Sequence, residues 1–522
     1  MNEELRYFAD RGFLISPELL DKIKSVDKEK ILENLSKNVV VVNEDLARRA
    51  EEERCGELNW IGFDEARVLF EKRGYDEEYN TFLDVILERK VDANSNGVGD
   101  FLEQEDMEGG VVVLRSYNEK SKKMAVEDFV ALFNSRYKLL KEILCNRLEL
   151  RDTVSISRIV NKENERVALI GIVSNKRTTK NGNLLLEIED LSGKINVLIN
   201  KNRNELREAE KEIVLDEVIG VTGNTNNGFV FAERIFFPDV PVIKELKKSP
   251  VEESAVFISD LHVGNKTFLE RDFNKFLEWL NSEDDEVKKI KYLFILGDLI
   301  EGIGIYPGQE GDLEIKDYYK QYEKFVELIK KVPTRVNIIL CPGNHDALRL
   351  DEPQPALGEN FLGELIERGN VFSVSNPAFV NIGASKDFSG FDVLIYHGGS
   401  FAHYADSVDS IRLAGGLKRA DLILKFLLKK RHLAPTHTST SYLAGKRDNL
   451  VIDLVPDFFV GGHIHRCTVE NYNNITMINA SCWVPQSDYM EKRGMEPEPC
   501  RAIIVNLDTR GCKIKIFGDG SK

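Results

Sequence analysis

The spacing of hydrophobic and polar residues changes several times along this chain of 522 residues and divides it into segments. In residues 1–45, apolar positions at helical spacing and a Ser16-Pro17-Glu18 start signal predict short helices. A module of this size is too small for a catalytic domain and suits docking to a partner. Residues 46–124 are acidic and interrupted by Asn-Gly and Gly-Gly pairs, so we expect a partly disordered linker there.

An amphipathic pattern predicts one connecting helix over residues 125–150, with Phe129, Phe133 and Tyr137 on its apolar face. From residue 154 to residue 242 the pattern changes to β-type runs separated by Lys-Asn-Gly, Ser-Gly and Asn-Asn-Gly turns. The order of three strands, a helix and two strands predicts a small closed barrel that resembles an OB fold. A clear set of exposed aromatic residues for base stacking is missing, which favours a structural or docking role over single-strand binding.

Residues 250–520 alternate buried-type apolar strands with helices, a pattern that predicts an α/β domain of layered sheet and helices. Polar residues able to bind a metal ion follow each of the five main strands. They are Asp260 and His262 after the first strand, Asp298 after the second, Asn344, His345 and Asp346 after the third, His397 after the fourth, and His463 and His465 after the fifth. Since the carboxyl ends of the strands share one edge of an open α/β sheet, we expect these side chains to converge.

The histidines support a metal site at this edge. All eight histidines of the chain lie at or after residue 262, and six of them lie at or beside a strand end. A single histidine is more often a core residue than a ligand, but five at converging strand ends favour metal binding. Residues two apart, such as Asp260 and His262, would face the same way on an extended backbone. Imidazole, carboxylate and carboxamide ligands together suit manganese, iron or zinc.

The net charge of −16 comes mainly from one segment. Residues 51–108 contain 18 Asp or Glu against six Lys or Arg, which leaves the rest of the chain close to neutral and compatible with a nucleic-acid partner. No apolar run is long enough to span a bilayer and the N-terminus lacks the layout of a signal peptide, so we expect a cytoplasmic protein without membrane contact. The seven cysteines form no CxxC pair, and we interpret them as reduced thiols.

Two weaker patterns are also present. Nine basic residues lie between residues 412 and 447, and Lys429, Lys430 and Arg431 form their densest run. This segment could guide a DNA strand toward the metal ions, but its helical apolar spacing equally allows a solvated cationic face or a docking surface. Residues 92–103 fit the spacing of a twelve-residue calcium loop, although an acidic segment produces such spacing by chance.

The residues at the strand ends belong to five short sequence motifs. They read Asp-Leu-His (260–262), Gly-Asp (297–298), Gly-Asn-His-Asp (343–346), Tyr-His-Gly (396–398) and Gly-His-Ile-His (462–465). This ordered set resembles the calcineurin-like binuclear metallophosphoesterases, whose fold is a layered β-sandwich flanked by helices. The longer stretches FISDLHVGNKTF, CPGNHDALRLDEPQPAL and LVIDLVPDFFVGGHIH resemble the small subunits of archaeal family-D DNA polymerases. The resemblance covers about residues 155 to 510.

The resemblance implies a role for each motif residue. One divalent metal ion would be held by Asp260, His262 and His465, and a second by Asn344, His397 and His463. Asp298 would bridge the two ions. His345 would be the catalytic acid, and Asp346 would orient it.

The resemblance further implies a 3′–5′ exonuclease that hydrolyses terminal phosphodiesters of DNA for proofreading, using two divalent ions that are manganese or, alternatively, iron or zinc. Its partners would be a large polymerising subunit and DNA 3′ ends, preferably single-stranded, at the archaeal nucleoid. Two alternatives stay open, namely an accessory scaffold with a vestigial phosphoesterase and a free-standing metallophosphoesterase nuclease. The complete set of ligand positions argues against the vestigial alternative.

Overall fold

The computed structural model of the chain describes residues 8, 14–15, 41–42, 110–118, 122–160, 162–487, 490–491 and 494–518. Near the N-terminus, Phe8 is helical and buried, and strand β1 (Leu14–Ile15) pairs in parallel with β2 (Val41–Val42), a pairing that the expectation of helices alone did not include. The Ser16-Pro17-Glu18 start signal and the calcium-type loop at residues 92–103 lie outside the described residues.

The expectation of a linker as far as residue 124 is wrong for its last part. Strand β3 (Val111–Arg115) pairs antiparallel with residues 378–382 of the C-terminal domain. The guanidinium of Arg115 donates two hydrogen bonds to the carboxylate of Asp453, at 2.7 and 3.0 Å. A run of three valines and a leucine supplies the apolar β-type surface that this edge position requires.

Helix α1 (Val126–Cys145) lies within the range predicted for the connecting helix. Its first turn carries Glu127 and Asp128, and the carboxylate of Asp128 accepts a hydrogen bond from the amide of Ala125 at 2.9 Å. Acidic residues in the first turn stabilise a helix through its dipole. The buried face of α1 includes Tyr137, Leu140 and Leu144.

The predicted barrel is confirmed as a closed five-stranded OB-type barrel in the strand order β4-β5-β6-β8-β7. Its elements are α2 (Ile156–Ile159), β4 (Arg166–Thr178), β5 (Leu184–Asp190), β6 (Gly193–Ile199), α3 (Arg207–Glu212), β7 (Val218–Asn226) and β8 (Phe229–Phe236). Asn227 and Gly228 both have positive φ, at 51° and 75°, and connect β7 to β8. This two-residue turn is the geometry that an Asn-Gly pair favours between antiparallel strands.

The C-terminal domain contains most of the remaining elements. In chain order they are β9 (Ser254–Ile258), α4 (Glu270–Leu280), α5 (Asp285–Lys288), β10 (Ile290–Leu296), α6 (Tyr318–Ile329), β11 (Asn337–Cys341), α7 (Glu359–Leu362), β12 (Val371–Ser373), β13 (Ala378–Ile382), β14 (Phe391–Ile395), α8 (Phe401–Ser407), α9 (Asp409–Arg412), α10 (Ala420–Lys430), β15 (Phe458–Gly461), β16 (Thr468–Tyr472), β17 (Ile475–Asn479), β18 (Arg501–Asn506) and β19 (Cys512–Ile516). Short 3-10 helices lie at Leu148–Leu150, Asn204–Leu206, Gln309–Asp312, Gly363–Arg368 and Gly416–Lys418.

These strands form two six-stranded sheets that stack face to face. One sheet has the order β12-β11-β10-β9-β18-β19, and the other has the order β16-β17-β15-β14-β13-β3. Phe257 and Phe294 of the first sheet share a core with Ile395 and Val460 of the second. The alternate residues of β9 face outward, where Val256 packs with helices α4 and α6.

Helices α8 and α10 cover the outer face of the second sheet, so the domain has four layers: helices, sheet, sheet and helices. The prediction of a layered β-sandwich flanked by helices is therefore confirmed. None of the helices in the described residues combines the length and apolar character that a membrane span requires. Six of the seven cysteines lie in the described residues, and all six are free.

Candidate metal centre

The predicted ligand residues meet at one end of the sandwich, but they come from both sheets. The parallel strands β9, β10 and β11 of one sheet lead to Asp260, Asp298 and Asn344, and the parallel strands β14 and β15 of the other lead to His397 and His463. The expectation of a single sheet edge is therefore wrong. Stacking brings the carboxyl ends of two sheets together and supplies donors from opposite sides.

Asp260, His262 and His465 form the first donor group. The Nε2 atom of His465 lies 3.2 Å from Oδ1 of Asp260 and 3.2 Å from Nε2 of His262. All three residues are at most 5% exposed, and Oδ1 of Asp260 is buried without a hydrogen-bond partner. A buried carboxylate oxygen without a hydrogen-bond partner, set beside two imidazole nitrogens, fits a cation.

Asp298, His397, His463 and Asn344 form the second donor group. The Nε2 atom of His397 lies 3.4 Å from Oδ2 of Asp298 and 3.2 Å from Oδ1 of Asn344. Nδ1 of His397 contacts the carbonyl oxygen of Leu296 at 2.7 Å and must donate to it, so the neutral ring presents the lone pair of Nε2 to the group. The structure thus brings all seven predicted ligand residues together in two groups.

Asp298 lies between the two groups. Its Oδ2 atom is 3.4 Å from Nε2 of His397 and 3.8 Å from Nε2 of His262. Burial disfavours the charged carboxylate, but His397 and His345 outweigh burial and hold the pKa of Asp298 well below its usual range. An ionised carboxylate between two donor groups is placed to bridge two cations.

Five of the ligand residues have left-handed backbone, which contradicts the expectation of extended pairs. The φ angles are 52° at Asp260, 52° at His262, 50° at Asp298, 68° at His463 and 60° at His465. A non-glycine residue in this conformation carries about 1–3 kcal/mol of conformational strain, and such residues cluster at functional sites. Two backbone hydrogen bonds hold these turns. The amide of Asp260 donates to the carbonyl of Gly297 and that of His262 to the carbonyl of Asp298, both at 3.0 Å.

Two glycines allow the turns to approach one another closely. A Cβ atom on Gly343 would lie 2.2 Å from Oδ1 of Asp298, and one on Gly462 would lie 2.0 Å from Oγ of Ser259. Both distances are far below van der Waals contact, so no other residue fits either position without moving the carboxylates.

His345 lines the surrounding cavity, and 15% of its side chain is exposed. Its amide donates to Oδ1 of Asp298 at 2.8 Å, and its Nδ1 contacts the carbonyl oxygen of Glu301 at 2.8 Å. Because Nδ1 must donate to that carbonyl, Nε2 carries a proton only in the imidazolium form. Burial lowers the pKa of His345, while Asp298 and Glu301 oppose that effect.

Asp346 does not orient His345 as expected. Its carboxylate accepts hydrogen bonds from the amides of Gly343 at 2.8 Å and Leu299 at 3.3 Å, and from the hydroxyl of Tyr322 at 3.0 Å. The side chain therefore turns back into its own loop and fixes the backbone that presents Asn344. Burial, with Asp298 nearby, raises the pKa of Asp346 to about 7.

The carboxylate of Glu301 orients His262, a contact that the motifs do not indicate. This carboxylate lies 3.0 Å from Nδ1 of His262, and Glu301 is 2% exposed. Burial favours the neutral acid, but the pairing with His262 outweighs it and lowers the pKa of Glu301 to about 2. The only trace in the sequence is an acidic residue three positions after Asp298, in a loop without periodicity.

Lys430 and Arg431 of the basic run at residues 429–431 are buried, and Lys429 is partly exposed. Lys430 is 1% exposed, pairs with Glu217 at 2.6 Å and lies 3.4 Å from the ring centroid of Phe237. Lys429 pairs with Glu212, and Arg431 donates to the carbonyls of residues 452 and 453. Of the alternatives that the sequence leaves open, these contacts favour a docking surface over DNA guidance, because Lys429 and Lys430 join α10 to Glu212 and Glu217 of the barrel domain.

A cavity of about 410 Å³ opens over the metal centre. One side of the cavity is formed by residues of the two donor groups and by His345, namely His262, Asp298, Asn344, His345, His463 and His465. Lys266 and Thr267 add polar groups, while Tyr306, Leu417, Met490 and Met495 add aromatic and apolar surface. A substrate with a charged and an apolar part matches such a lining.

A family model described as calcineurin-like phosphoesterase matches residues 254–467, and one described as OB-fold nucleic acid binding domain matches residues 167–229. Together with the four-layer sandwich, these matches define a domain of the calcineurin-like phosphoesterase class and a domain of the OB-fold class. The phosphoesterase class implies binding of divalent metal ions, for which the residues of the centre are suited.

The curated relatives identify the family more closely. A DNA polymerase II small subunit of Methanothermobacter thermautotrophicus is 38% identical over 73% of this chain and 78% of its own length. Those of Pyrococcus furiosus and Thermoplasma acidophilum are 36% and 32% identical, over 76% and 98% of this chain and 64% and 92% of their own lengths. The chain belongs to the family of DNA polymerase II small subunits.

Proposed function

We propose that the chain is a metal-dependent 3′–5′ exonuclease that removes the terminal nucleotide of a DNA strand during replication. The observation that supports this proposal is the pair of donor groups joined by Asp298, with His345 beside them in an open cavity. Two divalent ions held there, manganese or alternatively iron or zinc, would lower the pKa of a water molecule and stabilise charge on the phosphoryl oxygens.

In the proposed reaction, a water molecule gives up a proton to the solvent as its oxygen forms a bond to the terminal phosphorus. The bond from that phosphorus to the 3′ oxygen of the preceding nucleotide breaks, and a nucleoside 5′-monophosphate leaves. His345 in its imidazolium form gives the proton of Nε2 to the departing oxygen. The Glu301 carbonyl fixes the ring by accepting from Nδ1, so that Nε2 faces the cavity.

A large polymerising subunit and the 3′ end of DNA are the proposed partners. The relatives are named as small subunits of a DNA polymerase, and the described residues contain a barrel of a nucleic-acid-binding fold. The complete ligand set favours an active enzyme over a vestigial scaffold, because every predicted ligand residue lies in one of the two groups.

The test is digestion of a single-stranded DNA oligonucleotide labelled at its 5′ end, with manganese, by the full chain alone and with its large subunit. His345→Ala is expected to abolish removal of 3′ nucleotides while manganese binding is retained. His403→Ala on α8, which lies outside both donor groups, is the matched control and should digest normally. Undiminished digestion by His345→Ala would contradict the proposed role of this residue.

A further inference from the structure

A loop beside the metal centre is fixed to two ligand residues through its backbone. At its start the amide of Trp483 donates to the carbonyl of Asp260 at 2.9 Å, and at its end the amide of Glu498 donates to the carbonyl of His465 at 2.8 Å. Between these points the amide of Met495 donates to the carbonyl of Met490 at 2.9 Å, and both methionines line the cavity. The position of these methionines is therefore tied to the donor groups.

Val484 and Pro485 of the same loop and Leu417 of the facing segment extend this surface. We call Leu417, Val484, Pro485, Met490 and Met495 the apolar wall. Ion pairs of Glu496 with Lys418 at 2.6 Å and Arg466 at 3.7 Å join the loop to the segments beside it. The five side chains of the apolar wall carry no charge, so the wall itself has no group that binds a phosphate.

An apolar wall has no favourable interaction with a phosphate or a sugar hydroxyl, but it suits the flat face of a nucleobase. The cavity of about 410 Å³ falls within the size range of sites that enclose one small ligand. Methionine side chains are flexible and polarisable, and they accept differently shaped partners. A base that is paired and stacked in a duplex must leave its complementary strand before its face can enter a pocket.

We propose that the apolar wall receives the unpaired base of the terminal 3′ nucleotide and so makes the exonuclease select unpaired ends of any sequence. This inference rests on the proposed exonuclease function and adds the residues that set its specificity. A mispaired terminal base leaves the duplex at lower cost than a paired one, so it enters the wall more often. Methionine at two of the five positions makes recognition independent of which base enters.

The experiment compares two single-stranded oligonucleotides, one with a normal 3′ nucleotide and one whose terminal nucleotide lacks its base. The full chain with manganese is expected to show a kcat/KM about tenfold lower for the base-free end, since contact with the base is lost. In the double variant Met490→Ala, Met495→Ala this preference should fall to about threefold or less.

Leu413→Ala is the matched control, because Leu413 is an apolar residue at 76% exposure and does not line the cavity. It should keep the full preference for the normal end. Hydrolysis of the normal and base-free ends at the same rate by the unaltered chain would overturn the assignment of the wall and leave the exonuclease intact. If the chain hydrolyses neither oligonucleotide, the proposed function fails and this inference fails with it.

Discussion

The carboxylate of Glu301 lies 3.0 Å from Nδ1 of His262 and turns the opposite ring nitrogen toward Asp260 and His465. A carboxylate behind a ligand histidine sets the tautomer of the ring and raises its basicity, and removal of such a partner typically weakens metal binding about 10-fold to 100-fold. Glu301→Gln is therefore expected to weaken manganese binding by that factor.

The affinity is measured by competition with a fluorescent chelator on the full chain. Glu310→Gln is the control, since the side chain of Glu310 is 81% exposed and pairs only with Lys316 among the described residues. An unchanged manganese affinity in Glu301→Gln would show that His262 does not need this partner.

Gly343→Ala is expected to reduce hydrolysis about 100-fold, because displacement of reacting groups by about 1 Å has effects of that size. The added Cβ atom would lie 2.2 Å from Oδ1 of Asp298 and 2.8 Å from Nε2 of His397, so the bridging carboxylate must move. Gly311→Ala places its Cβ in open space and serves as control. Rates are compared at saturating manganese, and a fully active Gly343→Ala would contradict the geometry given for the centre.

Lys430→Ala is expected to lower the free energy of unfolding by about 3–5 kcal/mol, because it leaves the buried carboxylate of Glu217 without its partner. Lys425→Ala changes an exposed lysine on the same helix and should be nearly neutral. Urea unfolding measures stability, and fluorescence anisotropy measures DNA affinity. Normal stability together with weakened DNA binding in Lys430→Ala would restore the DNA-guiding interpretation.

The stability of the protein should depend on pH through His432. This residue is buried, its Nε2 contacts Asp448 at 2.9 Å, and its Nδ1 accepts from the amide of Ala434. Burial, with the charge of Arg136 nearby, lowers the pKa of His432 from 6.5 to about 4. Between these two values the unfolded chain binds a proton that the folded chain refuses, so stability is lost as the pH falls from 6.5 to 4.

His432→Gln keeps a donor for Asp448 but removes the titrating group. Between pH 7 and pH 4, the unaltered chain should lose about 3 kcal/mol more stability than this variant, a value that follows from the pKa difference. Urea unfolding at several pH values measures both proteins. Identical pH profiles would mean that His432 takes up its proton in the folded protein as readily as in the unfolded one.

The convergence of the predicted ligand residues could be anticipated from the sequence because each lies within four residues of the end of an apolar strand. The OB barrel and the connecting helix could be predicted because their periodicity is local. The structure differs where the deciding contact is distant in the sequence. Lys430 looks like an exposed charge until the barrel supplies Glu217, more than two hundred residues earlier.

Glu301 and strand β3 also differ from the sequence-based expectation, and in both cases the cause is local in the sequence. Glu301 lies in a loop, where no periodicity distinguishes a buried carboxylate from a solvated one. Val111–Arg115 is a strand-forming run, but it directly follows an acidic stretch whose composition predicts a linker. The left-handed backbone of residues such as Asp260 also has no counterpart in an alternating pattern of side chains.

Strand β3 precedes the barrel in the chain, yet it completes the sheet that begins again at β13 after the barrel. The sandwich is thus a discontinuous domain, and the barrel is an insertion within it. A protein fragment that begins at the barrel would lack β3 and expose the edge of β13, which could then pair with strands of other molecules. The smallest fragment fit for crystallisation therefore starts before Val111, in a stretch that composition alone would discard.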